Sequence, residues 1–91
     1  MIEFDEAKDR ANRAKHGISL ARAAEMELEL ILIDDREDYG ELRYRAFGFI
    51  DGEAHCLAFT SRSGRIRAIS LRRAHMKEMR RYEKQKQKTG G

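Results

Sequence analysis

Apolar and polar positions change their period several times along the chain, and each change marks an element. Ile2 and Phe4 alternate with polar neighbours, the period of a short strand. From Glu6 the spacing turns helical, with Ala7, Ala11 and Ala14 at i, i+4 and i+7 and Asp5 placed to cap the start. Lys15-His16-Gly17-Ile18 marks the end of that helix: two cationic side chains in the last turn, a glycine for the left-handed position, and an apolar residue to pack back. Ser19 then caps a second helix carrying Leu20, Ala23, Ala24 and Leu28. Leu30-Ile31-Leu32-Ile33 is a strand closed by Asp34-Asp35, and Arg36 to Gly40 is a polar loop. Leu42 to Ile50 alternates again, with Arg43, Arg45, Phe47 and Phe49 on one face. Asp51-Gly52 is a tight hairpin turn, and Glu53 to Thr60 returns as its second arm. A turn over Ser61 to Arg65 leads into a strand from Ile66 to Leu71, and the pattern is helical from Arg72 to about Gln85. The order β-α-α-β-β-β-β-α predicts an α+β domain, an antiparallel meander with two N-terminal helices and one C-terminal helix. Residues 1–85 form the one expected domain, and 86–91 a frayed tail.

Composition narrows the class. Ninety-one residues make a single domain, and a chain of this size buries only about 60–65% of its unfolded surface. No run approaches the roughly 20 apolar residues of a membrane span, and Met1-Ile2-Glu3-Phe4-Asp5 lacks the basic start of a signal peptide. Cys56 is alone, so no internal disulfide forms, and a cytoplasmic setting without membrane contact is expected. The net charge of +3 hides a division: residues 1–41 hold twelve acids and six bases, a net of −6, and residues 42–91 hold four acids and thirteen bases, a net of +9. The second half can steer a polyanion, while the first can face a cationic partner.

The motifs along the chain resemble those of the BrnT toxins. They are Ile2-x-Phe4-Asp5, Lys8, Asn12 and Lys15-His16-Gly17-Ile18-Ser19, then Asp34-Asp35, Gly40-Glu41-x-Arg43 and the Gly48 to Gly52 hairpin. Thr60-x-Arg62, Arg65-Ile66-Arg67-x-Ile69-Ser70 and Arg72-Arg73-Ala74 follow, leading to Glu78 and Tyr82. The resemblance implies a RelE-like ribonuclease toxin of a type II toxin–antitoxin pair. Its implied partner is a BrnA-like antitoxin that also contacts promoter DNA. Many relatives carry proline after the second aspartate, whereas this chain has Arg36 and no proline at all, which bears on the geometry of that loop.

Cleaving RNA without a metal requires activating a ribose 2′-hydroxyl, stabilising extra charge on the phosphate and protonating the leaving oxygen. His16, His55 and His75 are far apart and no metal-ligand spacing occurs, so no metal or other cofactor is expected. Arg72 and Arg73 at a helix start, where positive charge is disfavoured, suggest a bound anion, although two exposed side chains would cost little. Glu41, Arg43 and Arg45 lie two apart on a strand, either as a base beside phosphate anchors or as a structural ion pair. Arg62 and Arg65 flank a glycine turn, as ligand contacts or solvated turn residues. His16 is a candidate general acid, though capping also accounts for it and for Lys15.

In the last helix Arg73, Lys77, Arg80, Arg81, Lys84 and Lys88 make a basic stripe that suits RNA, an acidic antitoxin surface or plain solvation, opposite His75, Met79 and Tyr82. Tyr39, Tyr44 and Phe47 are candidates for base stacking, Phe47 equally for the core, where Cys56 also belongs. Convergence of Arg43, Arg62, Arg72 and Arg73 on one phosphate is the sharpest expectation. Two functions stay open: an endoribonuclease that lowers translation, or a non-catalytic nucleic-acid- or antitoxin-binding module of the same fold. A transcription factor is the weaker third, because no helix-turn-helix or ribbon pattern appears.

Overall fold

The computed structural model describes residues 2–90, and side chains to residue 84. Its elements are β1 (Ile2–Glu3), α1 (Glu6–His16), a 3-10 helix (Leu20–Glu25), β2 (Glu27–Ile33), β3 (Arg43–Ile50), β4 (Glu53–Arg62), β5 (Arg65–Arg73) and α2 (Met76–Gly90). They build one five-stranded sheet in the order β1-β5-β4-β3-β2. The four strands from β2 to β5 pair antiparallel in sequence order. Both hairpin turns, Asp51-Gly52 and Ser63-Gly64, hold two residues at positive φ, the geometry that matches strand twist. Among the described residues no helix is long and apolar enough to cross a membrane.

Four features depart from the sequence reading. The sheet is mixed, because β1 runs parallel to β5, with Ile2 opposite Ile66 and Glu3 opposite Arg67. That direction lets Ile2 and Phe4 pack on the core beneath α1. The expected second helix is only the six-residue 3-10 segment, capped by Ser19, whose buried Leu20 and Ala23 recur at the three-residue period of that helix. Leu28 belongs to β2 instead, since Glu-Leu-Glu-Leu alternation satisfies a strand as well as i+4 spacing satisfies a helix, and the ladder to β3 decides between them. The last helix starts at Met76, because β5 stays paired as far as Arg73, opposite His55, and the Ala74 N–H still donates to Ala54 O at 2.9 Å. The α2 backbone is helical to Gly90, where fraying was expected from Lys86.

The fourth departure concerns how α1 is held. Ala7, Ala11 and Ala14 are all exposed, and the buried residues of α1 are Asp9 and Asn12. Asn12 Nδ2 donates to Leu71 O and Ile18 O, both at 2.9 Å, and Asn12 Oδ1 accepts from Leu71 N–H at 3.0 Å. β1 pairs β5 only at Ile66 and Arg67. Beyond them no strand among the described residues borders the outer edge of β5, and the Asn12 carboxamide takes the place of one. Asp9 Oδ1 accepts from Leu20 N–H at 2.7 Å and Ser19 Oγ at 2.9 Å, which fixes the turn after α1. The hydrogen bond from Leu20 N–H, with that from Ser19, holds the Asp9 carboxyl below its usual range despite its desolvation.

Two apolar clusters line the sheet. On the α1 face Leu20 and Ala23 meet Ala46, Ile50, Leu57, Phe59, Ala68 and Leu71. On the α2 face Leu30, Phe47, Ala54 and Cys56 meet Ala74 and Met79, with Tyr82 at the margin. Gly48 lets the start of β2 cross closely, since a Cβ there would lie 2.3 Å from Glu27 O. Bulges interrupt β2 between Leu28 and Leu30 and the β4–β5 ladder between Ala58 and Phe59.

Asn12→Leu preserves side-chain bulk but leaves the Leu71 N–H and two carbonyls without partners. Urea unfolding is expected to show a loss of about 2–4 kcal/mol at an unchanged m value. A loss under about 0.5 kcal/mol would remove Asn12 as the anchor of α1.

Candidate active site

Register and alternation decide which arginines share a face. Arg43 and Arg45 point the same way as Phe47 and Phe49, towards α2, as their spacing predicts. Arg43 is level with Thr60 of β4 and Arg67 of β5, Arg45 with Ala58 and Ser70, and Arg72 with Cys56. α2 packs through Met79 and Tyr82 on the far end of this face, over Leu30, Phe47, Ala54 and Cys56. The remainder is a floor of small residues, Ala58, Thr60 and Ser70, with Arg43 and Arg45 on one flank and Arg67 and Arg72 on the other. Cations therefore recur at the levels of Thr60, Ala58 and Cys56, one for every two strand residues, or about 6.6 Å. That step is of the order of the separation between successive phosphates in an extended single strand, which an electrostatic groove can track.

Burial makes two of these cations unusual. Arg45 is only 7% exposed. Its guanidinium lies 4.7 Å from the centre of the Tyr82 ring, Nη1 donates to Tyr82 Oη at 3.1 Å, and Nε is 4.0 Å from Asp34 Oδ1. Arg43 stacks over Tyr39 at 4.1 Å, and the Nε atoms of both arginines are buried without a hydrogen-bond partner among the described residues. Asp34 is buried beside them and chelated by Arg36, with Nε to Oδ1 and Nη2 to Oδ2 both at 2.8 Å. Tyr39 Oη also donates to Asp34 Oδ2 at 3.3 Å. The Arg36 hydrogen bonds outweigh desolvation and, with Arg45 nearby, hold the Asp34 carboxyl down at about 2. Arg36 is thus the residue that closes this loop onto Asp34.

Arg72 is half-buried and paired with Glu78 of α2, Nη2 to Oε1 at 2.8 Å, which raises the Arg72 pKa and lowers that of Glu78. Arg72 and Arg73 do not begin a helix; they end β5 and face opposite ways. Arg73 pairs with Glu53 at 2.9 Å on the α1 face, in a cleft of about 250 Å³ that His16, Arg22, Asp51 and His55 also line. Burial, reinforced by Lys15 and Arg72, pushes the His16 imidazole below its usual value, favouring the neutral form. His16 and exposed Lys15 flank a neighbouring hollow with Asn12 and Ser70. Neither comes from the strands bearing Arg43 and Arg45.

Arg62 lies at the outer end of the α2 face and reaches Glu41 at 3.2 Å. Its strand position is two residues past Thr60, the level of Arg43 and Arg67, or about 6.6 Å, and six from Cys56, the level of Arg72, or about 20 Å. The four arginines do not converge on one point: Arg43, Arg62 and Arg72 share a face with Arg45 but are spread along it, Arg62 at its outer end, and Arg73 is behind it. Arg65 is exposed and paired with Glu3 at 2.9 Å. Lys77, Arg80 and Arg81 are exposed on α2, and Lys77 and Arg81 border a hollow with His75, Glu78 and Tyr82. His75 precedes α2 and is exposed instead of joining its apolar edge. Lys84 is exposed, and the Lys88 side chain lies outside the described residues. Tyr44 stacks on Phe59 and Phe47 on Tyr82, which puts Tyr44 against the α1-side core and Phe47 within the α2-side core.

Arg67, Asp34, Glu78 and Tyr82 are among the BrnT-like motifs of the chain and Arg36 departs from them, but local spacing does not single them out as site residues. Only Arg67 carries a local signal, its alternation with Arg65. Among the described residues no group of three or more His, Cys, Asp or Glu side chains could hold a metal ion.

Fold and face together define a small α+β protein with one sheet face given over to an arginine ladder. The chain belongs to the BrnT family: residues 4–78 match the model of the ribonuclease toxin, BrnT, of type II toxin-antitoxin system. No curated protein matches the chain. The family match takes in every arginine of the ladder and Glu78, and stops before Arg80 and Arg81.

Because the folded-state pKa of Asp34 is depressed from 3.8 to about 2, its stabilisation is complete above pH 4 or so and is lost as pH falls towards 2. Asp34→Asn is expected to flatten that acid limb and to cost roughly 1–2 kcal/mol at pH 7, allowing for the exposure of Arg36. Unfolding measured from pH 2 to 7 tests this; an unchanged acid limb would contradict it.

Proposed function

We propose that this protein is a metal-independent endoribonuclease with a RelE-like domain, which lowers translation and is neutralised by a BrnA-like antitoxin that contacts promoter DNA. The observation that carries the reading is the ladder of Arg43, Arg45, Arg67 and Arg72 on the open part of the α2 face, two of whose members have buried Nε atoms unpartnered among the described residues. An RNA phosphate laid on the Ala58-Thr60-Ser70 floor meets fixed cations on both flanks. The dianionic phosphorane formed when the 2′-hydroxyl attacks gains more from them than the ground-state phosphate does. Guanidiniums held by Tyr39, Tyr82 and Glu78 need little reorganisation as that charge develops. Glu41, at the end of the same face, is the candidate base, and exposed Lys77, Arg80 and Arg81 extend the cationic track along α2.

A second reading, a binding module without catalysis, has one observation in its favour. The carboxylates named on this face are each tied to an arginine: Asp34 to Arg36, Glu41 to Arg62 and Glu78 to Arg72. Incubation of the purified protein with RNA, with and without EDTA, separates the two. Cleavage that persists in EDTA and leaves 2′,3′-cyclic phosphate ends is the expected outcome; intact RNA bound by the protein would favour the second reading. Arg43→Ala and Arg72→Ala are each expected to lower cleavage about 10²–10³-fold, with lysine restoring only part because an ammonium lacks the guanidinium fork. Arg10→Ala, on the exposed side of α1, is the charge-matched control with near-normal cleavage.

A further inference from the structure

β1 closes one side of the sheet with two residues, but β2 leaves the other side open along seven. The Asp34 N–H donates to Arg43 O at 2.8 Å. Alternation therefore turns the N–H and C=O of Leu32 and Leu30 towards β3, and those of Ile31 and Ile33 towards the open edge. The same strand bears unmatched apolar surface. Leu28, Ile31, Ile33 and neighbouring Leu42 are 57%, 47%, 59% and 55% exposed; by register the first three project from the α1 face, beyond the cover of α1 and the 3-10 helix, and Leu42 precedes β3 two residues before Tyr44 of that face. The acids and the bulge of β2 are confined to Glu27–Glu29, so Leu30–Ile33 is a regular apolar edge of the kind that soluble proteins ordinarily blunt with lysine, proline or a covering element. Among the described residues none of these stands on Leu30–Ile33.

The charges around this edge select its occupant. From Glu25 to Glu41 the chain carries eight acids and one base, Arg36, which is bound to Asp34. A second copy pairing antiparallel along β2 would set Glu25, Glu27 and Glu29 of one chain beside Asp34 and Asp35 of the other. Parallel pairing would set each acid beside its own counterpart. Like charges directly opposite are destabilising in either case. A basic segment with alternating apolar residues meets both the acids and the aliphatic row.

We propose that β2 is the docking edge of the antitoxin, which adds an extended, Lys/Arg-bearing segment as a sixth strand beside Ile31 and Ile33. The assignment rests on the toxin–antitoxin reading above and adds to it a surface and a binding mode. Main-chain bonds to Ile31 and Ile33 supply the pairing, Leu28, Ile31, Ile33 and Leu42 accept the apolar side chains of the incoming strand, and the acids accept its charges. This surface is separate from the arginine ladder, which projects from the opposite face of the sheet.

Amide hydrogen exchange on the full-length toxin, alone and in complex with its tagged cognate antitoxin, tests the proposal. The expected result is new protection at Ile31 and Ile33 in the complex, and a complex that weakens as salt rises. Ile31→Pro removes an N–H that β3 does not use, at an edge where proline is tolerated. It is expected to keep RNA cleavage while binding antitoxin about 10- to 100-fold more weakly, a loss of the size one or two main-chain bonds supply. Antitoxin binding that leaves both amides unprotected would overturn the proposal and leave the toxin–antitoxin reading standing. Protection of the same amides in a homodimer of the toxin alone would assign the edge to a second copy and overturn it too. If the antitoxin fails to bind wild-type toxin at all, the underlying reading falls and the proposal with it.

Discussion

Past Arg67 no strand among the described residues lies beside the outer edge of β5, and the Asn12 carboxamide stands in by bonding both polar groups of the Leu71 backbone. Much of the architecture follows from that substitution. It docks a helix that has almost no apolar face, so α1 is held by direction-specific bonds instead of by area. Asn12 also bonds Ile18 O, and Asp9 one turn earlier bonds Leu20 N–H, so the same helix aims the 3-10 segment and drives Leu20 and Ala23 into the core. With the α1 face closed in this way over the strands from β3 to β5, the incomplete cover of α2 leaves the other face open over the same strands.

On that open face the governing constraint is charge in a confined space. Arg45 lies beneath Tyr82 and is nearly excluded from water, and Asp34 is the buried carboxylate near it. A carboxylate chelated by Arg36 is partly neutralised, so it offsets the burial of Arg45 incompletely and leaves a net positive field over the floor. Arg45 and Asp34 are one buried charge of each sign, and the half-buried Arg43, Arg67 and Arg72 around them add an excess of cations that is costly in a free protein and favourable once a polyanion is bound. The same excess would be hard to explain in a purely structural ion-pair network, where geometry usually completes the pairing.

Much of this fold was legible in the chain because its signals are local. Asp5, Gly17, Ser19 and Asp51-Gly52 act within a few residues, and the alternation from Arg43 to Phe49 assigned a face correctly. The failures trace to interactions that local spacing cannot contain. The alanine stripe of α1 pointed to an apolar docking face, whereas polar contact with a residue 59 positions away decides its orientation. Arg72 and Arg73 looked like a helix start because an i+4 series of bases runs on from them, whereas pairing with Cys56 and His55 keeps them in the sheet. Arg67 and Arg72 are five apart and would face opposite ways in a regular strand. The bulge at Ile69, opposite the Ala58–Phe59 step, shifts the phase by one and brings them to one side. A second bulge, at Glu29, does the same for Leu28 and Ile31.

These two irregularities turn the division of charge along the chain into a division of surfaces. The basic second half supplies β3, β4 and β5, and the β5 bulge gathers its arginines on the α2 face. The acidic first half supplies β2 and its flanking segments, and the β2 bulge turns an aliphatic row towards the other face. Opposite partners can then be met by separate surfaces of a domain of 91 residues: a polyanion on the open face, and a cationic chain at the edge. Arg36 joins the two regions. It leaves β2 through the acidic loop and returns its guanidinium to Asp34, beside Arg45. One bidentate ion pair and the Tyr39 hydroxyl thus connect the end of β2 to the residues packed against Arg43 and Arg45.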